Sequence, residues 1–270
     1  MVVQHNLSAM NTNRQMGVVT SALQKSTEKL SSGYKINRAA DDAAGLSISE
    51  KMRSQIRGLN KASDNAQDGI SLIQVAEGAL NETHSILQRM NELATQAAND
   101  TNTSVDRQSI KDEIKQLNEE LDRISSTTQF NKQDLLTGGF SGKLQVGALE
   151  GQTMDVKISL AVSAKGLKVS AVEVSTNAKA GAAMQSIQDA IESVSKQRSK
   201  LGAIQNRLEH TINNLDTNAE NTQAAESRIR DTDMADEMVQ YSKNNILSQA
   251  GQSMLAQANQ QTQGVLSLLQ

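Results

Sequence analysis

Between residues 46 and 99 the apolar residues recur in a pattern typical of one face of a long α-helix. The steps between them are three, four or seven residues, which keeps them in one narrow stripe: Met52, Ile56, Leu59, Ala66, Ile70, Ile73, Leu80, Leu87 and Ala94. At about 1.5 Å per residue, such a helix would run for roughly 80 Å. A stripe this narrow needs partner helices to cover it, so the pattern predicts the spine of a rod.

The same periodicity predicts four further helices. One precedes the long helix, spans residues 5–33 and ends at Gly33. Another follows the long helix, is capped by Thr103 or Ser104 and carries the stripe Ile110, Ile114, Leu117, Leu121 and Ile124. A heptad series runs from residue 184 to 222. A last helix covers about 230–268, with the stripe Met234, Met238, Tyr241, Leu247, Ala250, Met254, Ala258, Gln261, Val265 and Leu268.

Polar residues interrupt the seams of the two longest predicted helices. If these helices run antiparallel, Glu77 of one falls close to Arg198 of the other. Polar residues at seam positions often determine the register of a coiled coil at some cost in stability. We therefore expect this pair to set register more than to add stability.

Three stretches depart from the helical period. Asp41 and Asp42, in the break over residues 34–49, are suited to cap a helical turn. Residues 125–139 are polar and glycine-rich, which predicts a loop. Over residues 143–175 apolar and polar residues alternate, first at Val156, Ile158 and Leu160 and then at Leu167, Val169 and Ala171, which predicts one or two β-hairpins.

Together these elements predict a mainly α fold, an elongated antiparallel coiled-coil helical rod with a small β-hairpin element. We expect residues 1–40 to form a helix that pairs with residues 229–270. Residues 41–128 and 181–228 would then supply the two halves of the helical rod domain, and residues 129–180 its β-hairpin and loop region.

Composition narrows the function classes. Cysteine is absent, so no disulfide or thiolate metal site is possible. Proline is also absent, and aromatic residues make up only 1% of the chain. The net charge is −3 with both signs interspersed, which gives no indication of a nucleic-acid partner. No stretch is long and apolar enough to predict membrane insertion, and the first residues lack the pattern of a cleaved signal peptide.

Candidate chemistry is sparse. The pair Asp41 and Asp42 could suggest general acid–base catalysis, but no histidine or glycine-rich phosphate loop accompanies it. His5, His84 and His210 have no neighbours at metal-ligand spacing. We therefore expect no enzyme activity, catalytic residue, metal or cofactor.

Several motifs occur in the order and spacing of one known family. Ile36-Asn37 is followed by Asp41-Asp42-Ala43-Ala44-Gly45, and the chain ends with Ala256-Gln257-Ala258-Asn259-Gln260 and Val265-Leu266-Ser267-Leu268-Leu269. With Leu30-Ser31-Ser32-Gly33 nearer the start, these motifs resemble bacterial flagellin over roughly residues 1–135 and 185–270. The region between them is shorter than in the many flagellins that carry large outer domains.

The resemblance implies a structural protein that polymerises with copies of itself into the filament of a bacterial flagellum. It also implies secretion without a cleaved signal peptide, a flagellar export chaperone, and contact with the filament cap and hook-junction proteins. Two alternatives stay open: a hook–filament junction protein, and more distantly a secreted coiled-coil binding module. The junction protein would occur in few copies, and the binding module would be a stable monomer or dimer.

The resemblance further implies two sets of site residues. One is the patch through which flagellins are sensed by the flagellin-recognising Toll-like receptor of the host: Gln88, Arg89, Glu92, Leu93, Gln96, Ile110 and Glu113. In it Arg89 would be the charged anchor, Leu93 its apolar neighbour and Glu113 a polar contact. The other is the C-terminal tail, Val265, Leu266, Leu268 and Leu269, used in packing and read by cytosolic innate sensors. Helix geometry alone favours a different role for Leu93, in a second apolar stripe with Ile86 and Met90.

Overall fold

The computed structural model describes residues 6–267, with side chains as far as residue 261. Within that range the chain is mainly helical, as predicted, with α1 (Leu7–Ser32), α2 (Ala43–Ala97), α3 (Ser104–Thr127), α4 (Asn177–Arg230) and α5 (Met234–Ser267). Four short strands lie between α3 and α4: β1 (Gln129–Phe130), β2 (Gln133–Asp134), β3 (Phe140–Gln145) and β4 (Thr153–Ile158).

The chain divides into two compact units. Unit 1 comprises residues 1–54 and 221–270, and unit 2 comprises residues 55–220. Both long helices, α2 and α4, contribute residues to each unit. The domain limits expected from the sequence remain a prediction.

The core of unit 2 is built on the predicted heptads. On α2, Ile73, Leu80, Leu87 and Ala94 repeat every seven residues and are fully buried, and on α4 Ile187, Val194, Leu201 and Leu208 do the same. Helix α3 adds Ile114 and Leu121 to this core. A strict seven-residue repeat on facing helices is the packing pattern of a coiled coil, which confirms this part of the prediction.

Two polar pairs join α2 and α4 within unit 2. Ser63 Oγ donates to Asp216 Oδ1 over 2.9 Å, and Arg198 Nη2 lies 3.8 Å from Glu77 Oε1. The residue number of the contact on α4 decreases as the residue number on α2 increases, so the two helices run antiparallel. The predicted proximity of Glu77 and Arg198 is thus confirmed.

Only one of the alternating segments forms a ladder. β3 pairs antiparallel with β4 from Phe140↔Ile158 to Gln145↔Thr153, and Met154, Val156 and Ile158 bury one face of β4. The second segment is not a strand, because Leu167 donates its backbone N–H to Ser163 O and Lys168 has a φ of 60°. These turns bury Leu167 and Val169 without a strand partner.

The loop predicted over residues 125–139 is also partly wrong. Helix α3 continues to Thr127, and β1 and β2 then form a two-stranded hairpin. Its two turn residues, Asn131 and Lys132, both have positive φ values, 48° and 64°. Two successive residues with positive φ form a tight turn whose twist matches that of the flanking strands.

In unit 1, α1 and α5 pack antiparallel. Asn6 Nδ2 donates to Ala258 O over 2.9 Å near one end, and Lys29 Nζ lies 3.3 Å from Glu237 Oε2 near the other. Gly33 ends α1 with a φ of 76°, and its N–H donates to Lys29 O, as a left-handed C-cap does. Pairing of helices from the two ends of the chain is what the sequence led us to expect.

A short antiparallel bridge ties the connection after α1 to the connection before α5. Lys35 N donates to Arg230 O, Thr232 N donates to Gly33 O, and Tyr34 faces Asp231 between them. The Arg230 guanidinium lies 4.6 Å from the centre of the Tyr34 ring, within the range of a cation–π contact. Nearby, Ser49 donates to the buried Glu226 over 2.8 Å.

Candidate functional site

The helix pair of unit 1 leaves large apolar side chains in solvent. We define the terminal apolar surface as the nine residues of α1 and α5 that are large, apolar and between 44% and 71% exposed: Leu7, Met10, Val18, Met234, Met238, Val239, Ile246, Leu247 and Met254. Exposed apolar area of this extent is unusual unless another surface covers it.

The contact between α1 and α5 explains why so much apolar surface stays outside. Apart from Asn245, which adjoins Asn244, the less exposed residues of α5 recur at steps of three and four and are mostly small or polar: Glu237, Tyr241, Asn244, Ser248, Gly251, Leu255 and Ala258. Gly251 lies against Met16 of α1. Of the stripe predicted for this helix, Tyr241 and Ala258 lie on this side, whereas Met234, Met238, Leu247 and Met254 do not.

In unit 2 the residues proposed from the resemblance lie where α2 faces α3. Gln88, Arg89, Glu92 and Gln96 lie within about 100° of arc on α2 and are exposed, and Glu113 is exposed on α3. We call these five residues the Arg89 patch.

Arg89 joins the two helices through carboxylates. Its Nη2 lies 2.9 Å from Glu113 Oε1 and its Nε donates to the same oxygen over 3.0 Å, while its Nη1 donates to Glu92 Oε2 over 3.2 Å. The hydrogen bonds to Glu113, and then those to Glu92, raise the pKa of Arg89 above its ordinary value. Arg89 is half exposed, so solvent screens these ion pairs and they add little to folding stability. The guanidinium is nevertheless held in one place.

Two of the proposed residues do not reach the surface. Leu93 is 2% exposed and Ile110 is 7% exposed, and both belong to the core that also contains Met90. Ile86 packs against the same core. The structure therefore places Leu93 in the apolar stripe that helix geometry favoured, beneath the Arg89 patch.

The C-terminal tail is only partly described. Val265 and Leu266 lie in the last turn of α5, and nothing is described of their side chains. Leu268 and Leu269 lie outside the described residues, as does His5.

The paired acids are occupied by structural contacts. Asp42 Oδ1 accepts from Gly45 N over 2.9 Å at the start of α2. Asp41 accepts from Lys25, Arg38 N and Asn37 N, and these contacts, the hydrogen bond from Lys25 first, lower the pKa of the Asp41 carboxyl. Among the side chains described, no group of three or more acidic or histidine residues could hold a metal ion. No described helix is long and apolar enough to span a membrane.

Comparison with known proteins agrees with this architecture. The family model of the bacterial flagellin N-terminal helical region matches residues 3–141, and that of the C-terminal helical region matches residues 184–269. A flagellin of Halalkalibacterium halodurans is 56% identical, and a flagellar filament core protein of Treponema maltophilum is 51% identical. Each alignment covers 100% of both chains.

Among solved structures, the crystal structure of Bacillus cereus flagellin has a TM-score of 0.51 and 34% sequence identity, and the match covers 60% of this chain and 94% of that one. The two family models together span both helical halves, including α1, α5 and the Arg89 patch. The full-length relatives add the hairpin region between them. By these matches, the chain belongs to the bacterial flagellin family.

Proposed function

We infer that this chain is a structural subunit that polymerises into the filament of a bacterial flagellum, outside the cell. The observation that carries this function is the terminal apolar surface. Nine large apolar side chains on α1 and α5 are solvated in the single chain, and relatives that align with it over their whole length are named flagellin and flagellar filament core protein. Copies of the chain would cover one another's exposed helices in contacts that do not close into a ring, which generates a helical polymer.

We further propose that folding of the terminal helices is coupled to assembly. The α5 side of the seam with α1 consists mainly of small and polar residues, so α5 buries few of its large apolar side chains in the single chain. A neighbouring subunit would supply the missing area. The helices would then gain most of their stability on incorporation into the filament.

The same surface supports proposals about partners. A helix that exposes several large apolar side chains, as α5 does, needs protection before assembly, which supports a flagellar export chaperone that covers it. Filament cap and hook-junction proteins would meet the subunit at the two ends of the polymer. These partners rest on the family resemblance together with the exposure of α5.

Electron microscopy of polymerisation tests the main proposal. The full chain should form long filaments, and a chain lacking residues 1–40 and 230–270 should not. A sharper variant is Val239→Asp with Ile246→Asp, because both side chains are about two-thirds exposed in the single chain and their change should leave the subunit folded. We expect no filaments from it, with an unchanged circular dichroism spectrum.

The matched control is Val239→Leu with Ile246→Leu, which keeps the apolar area and should still polymerise. Filaments of normal length from the double aspartate variant would contradict the role of this surface. Short oligomers that stop growing, from the unmodified chain, would instead favour the hook–filament junction protein.

We also propose that the Arg89 patch is a ligand surface for the flagellin-sensing Toll-like receptor. Support comes from its exposure and from the guanidinium held between Glu92 and Glu113. Gln88 and Gln96 flank it on α2, while Leu93 and Ile110 hold α2 and α3 together beneath it.

A receptor-reporter assay with Arg89→Ala tests this second proposal. We expect a loss of activation of about tenfold or more, the effect of removing one central arginine from an interface. Arg123→Ala is a matched control, because Arg123 is also an exposed arginine in an ion pair, with Glu120 of α3. Equal activity of the two variants would contradict the proposal.

A further inference from the structure

The ten methionines of the chain fall into distinct environments. Met10, Met234, Met238 and Met254 are between 48% and 65% exposed, and all four belong to the terminal apolar surface of unit 1. Met90 and Met154, in contrast, are 0% and 8% exposed in the core of unit 2. Four thioethers of the free subunit are therefore open to solutes, and two others in the same chain are shielded from them.

An exposed thioether has a definite chemistry with peroxides. A lone pair on the methionine sulfur attacks one oxygen of hydrogen peroxide, the O–O bond breaks and an S–O bond forms. After proton transfer, the other oxygen leaves as water. The sulfur is oxidised by two electrons and the peroxide is reduced by two, so no further reagent is needed. The product is a polar, chiral sulfoxide that methionine sulfoxide reductases return to methionine.

Oxidation at these positions would change the surface on which assembly depends. A thioether is soft and apolar and packs against many partners, but a sulfoxide oxygen requires a hydrogen-bond donor when it is buried. On the terminal apolar surface, Met10 is near Leu7, and Met234 and Met238 precede Val239 along α5. Apolar side chains of a neighbouring copy that cover these positions would offer the sulfoxide oxygen no donor.

Resting on the filament function proposed above, we propose that Met10, Met234, Met238 and Met254 are peroxide-oxidation sites that control assembly. Their conversion to sulfoxides prevents the free subunit from joining the filament, and a subunit already in the filament is protected because its neighbours cover them. The modification is reversible by sulfoxide reductases, so oxidised subunits form a recoverable pool.

The experiment begins with the full-length free subunit and hydrogen peroxide, followed by peptide mass spectrometry. We expect the four exposed methionines to be oxidised at least about tenfold faster than Met90 and Met154, which serve as internal controls. The critical concentration for polymerisation should rise about tenfold or more, because polar groups without partners are now placed in the contact. Treatment with both stereospecific reductases should restore the original value.

A variant with all four residues changed to leucine tests causation, since leucine keeps the volume and cannot be oxidised. It should polymerise equally well before and after peroxide. If it loses polymerisation after peroxide as the unmodified chain does, other residues are responsible and the proposal is wrong. Unchanged polymerisation of the oxidised natural chain would also overturn it, and so would oxidation of the four methionines in filaments at the rate seen in free subunits.

The two proposals fail in different ways. If the unoxidised natural chain forms no filament, the filament function itself is wrong, and the oxidation control falls with it. If the chain polymerises and oxidation has no effect, only the oxidation control is wrong. Should the leucine variant assemble poorly, restoration of the oxidised natural chain by the reductases decides the question.

Discussion

Replacing Leu93 by alanine tests whether this side chain stabilises the fold beneath the Arg89 patch or contacts the receptor directly. The side chain is 2% exposed and packs in the core with Met90 and Ile110. The change removes three carbon atoms, at about 0.8 kcal/mol each, and leaves a cavity in a closely packed site. We expect the free energy of unfolding of unit 2 to fall by about 3–4 kcal/mol.

Urea denaturation followed by far-ultraviolet circular dichroism measures this loss. With a slope of about 2 kcal/mol per molar urea, the midpoint of the unit 2 transition should fall by about 1.5–2 M. Gln96→Ala is the matched control, because Gln96 lies less than one turn further along α2 with an exposed side chain. Its midpoint should change by no more than the equivalent of about 0.5 kcal/mol.

Two results would refute this reasoning. An unchanged midpoint in Leu93→Ala would mean that the side chain is not buried between the helices. A variant that keeps full stability but fails to activate the receptor would mean that Leu93 contacts the receptor directly. The structure leads us to expect reduced activation only to the extent that the helices no longer hold Arg89 in place.

Three further predictions concern stability. Gly138→Ala should be destabilising, because Gly138 has a φ of 91° and a Cβ there would lie 2.9 Å from Ala161 N. In contrast, a Cβ at Gly202 in α4 would meet nothing within 4 Å, so Gly202→Ala should raise the free energy of unfolding by about 0.5–1 kcal/mol. Thermal melts in which both variants shifted in the same direction would contradict this. Thr103 and Asp106 form a capping box at the start of α3, and hydrogen bonds from the Thr103 side chain and backbone lower the pKa of the Asp106 carboxyl from its ordinary 3.8. The stability from this carboxylate is therefore present above that value and is lost as the pH falls through the lowered pKa. As the pH is lowered from neutral to below 3.8, the melting temperature should fall less in Asp106→Asn than in the natural chain. An equal fall in both would exclude the capping box as its source. For Glu77 and Arg198, whose charged atoms are 3.8 Å apart and partly solvated, a double-mutant cycle should give a coupling free energy below about 1 kcal/mol, and a coupling several times larger would indicate a more buried pair.

The helices were predictable because their signal is redundant. Residues such as Leu80 and Leu87 on α2, and Leu201 and Leu208 on α4, repeat the same seam position, so one unusual residue does not obscure it. The cap at Gly33 and the capping box at Thr103 depend on local chemistry, which the sequence contains in full.

The errors arose where burial depends on distant partners. Leu167 and Val169 alternate like strand residues, but turns bury them against the core, and alternation alone does not distinguish the two cases. The hairpin turn at Asn131 and Lys132 was missed because lysine is not among the residues that favour positive φ. On α5 the apolar stripe predicted from spacing mostly faces solvent, because a helix with apolar residues on several sides gives no indication of which side its one partner takes.

The candidate site was predictable only in part. Family resemblance led to Arg89 and Glu113, and the structure joins them by an ion pair. The burial of Leu93 followed instead from helix geometry, which grouped it with Ile86 and Met90. The contact of Arg89 with Glu113 could not be obtained from spacing alone, because it depends on how α3 returns along α2.

The placement of the few aromatic residues has a practical consequence. Both tyrosines, Tyr34 in the bridge beside Arg230 and Tyr241 on α5, belong to unit 1, whereas both phenylalanines, Phe130 and Phe140, belong to unit 2, and the chain has no tryptophan. Intrinsic tyrosine emission is therefore an optical signal from unit 1 alone. Stopped-flow fluorescence could time the ordering of the terminal helices during filament growth without any attached dye.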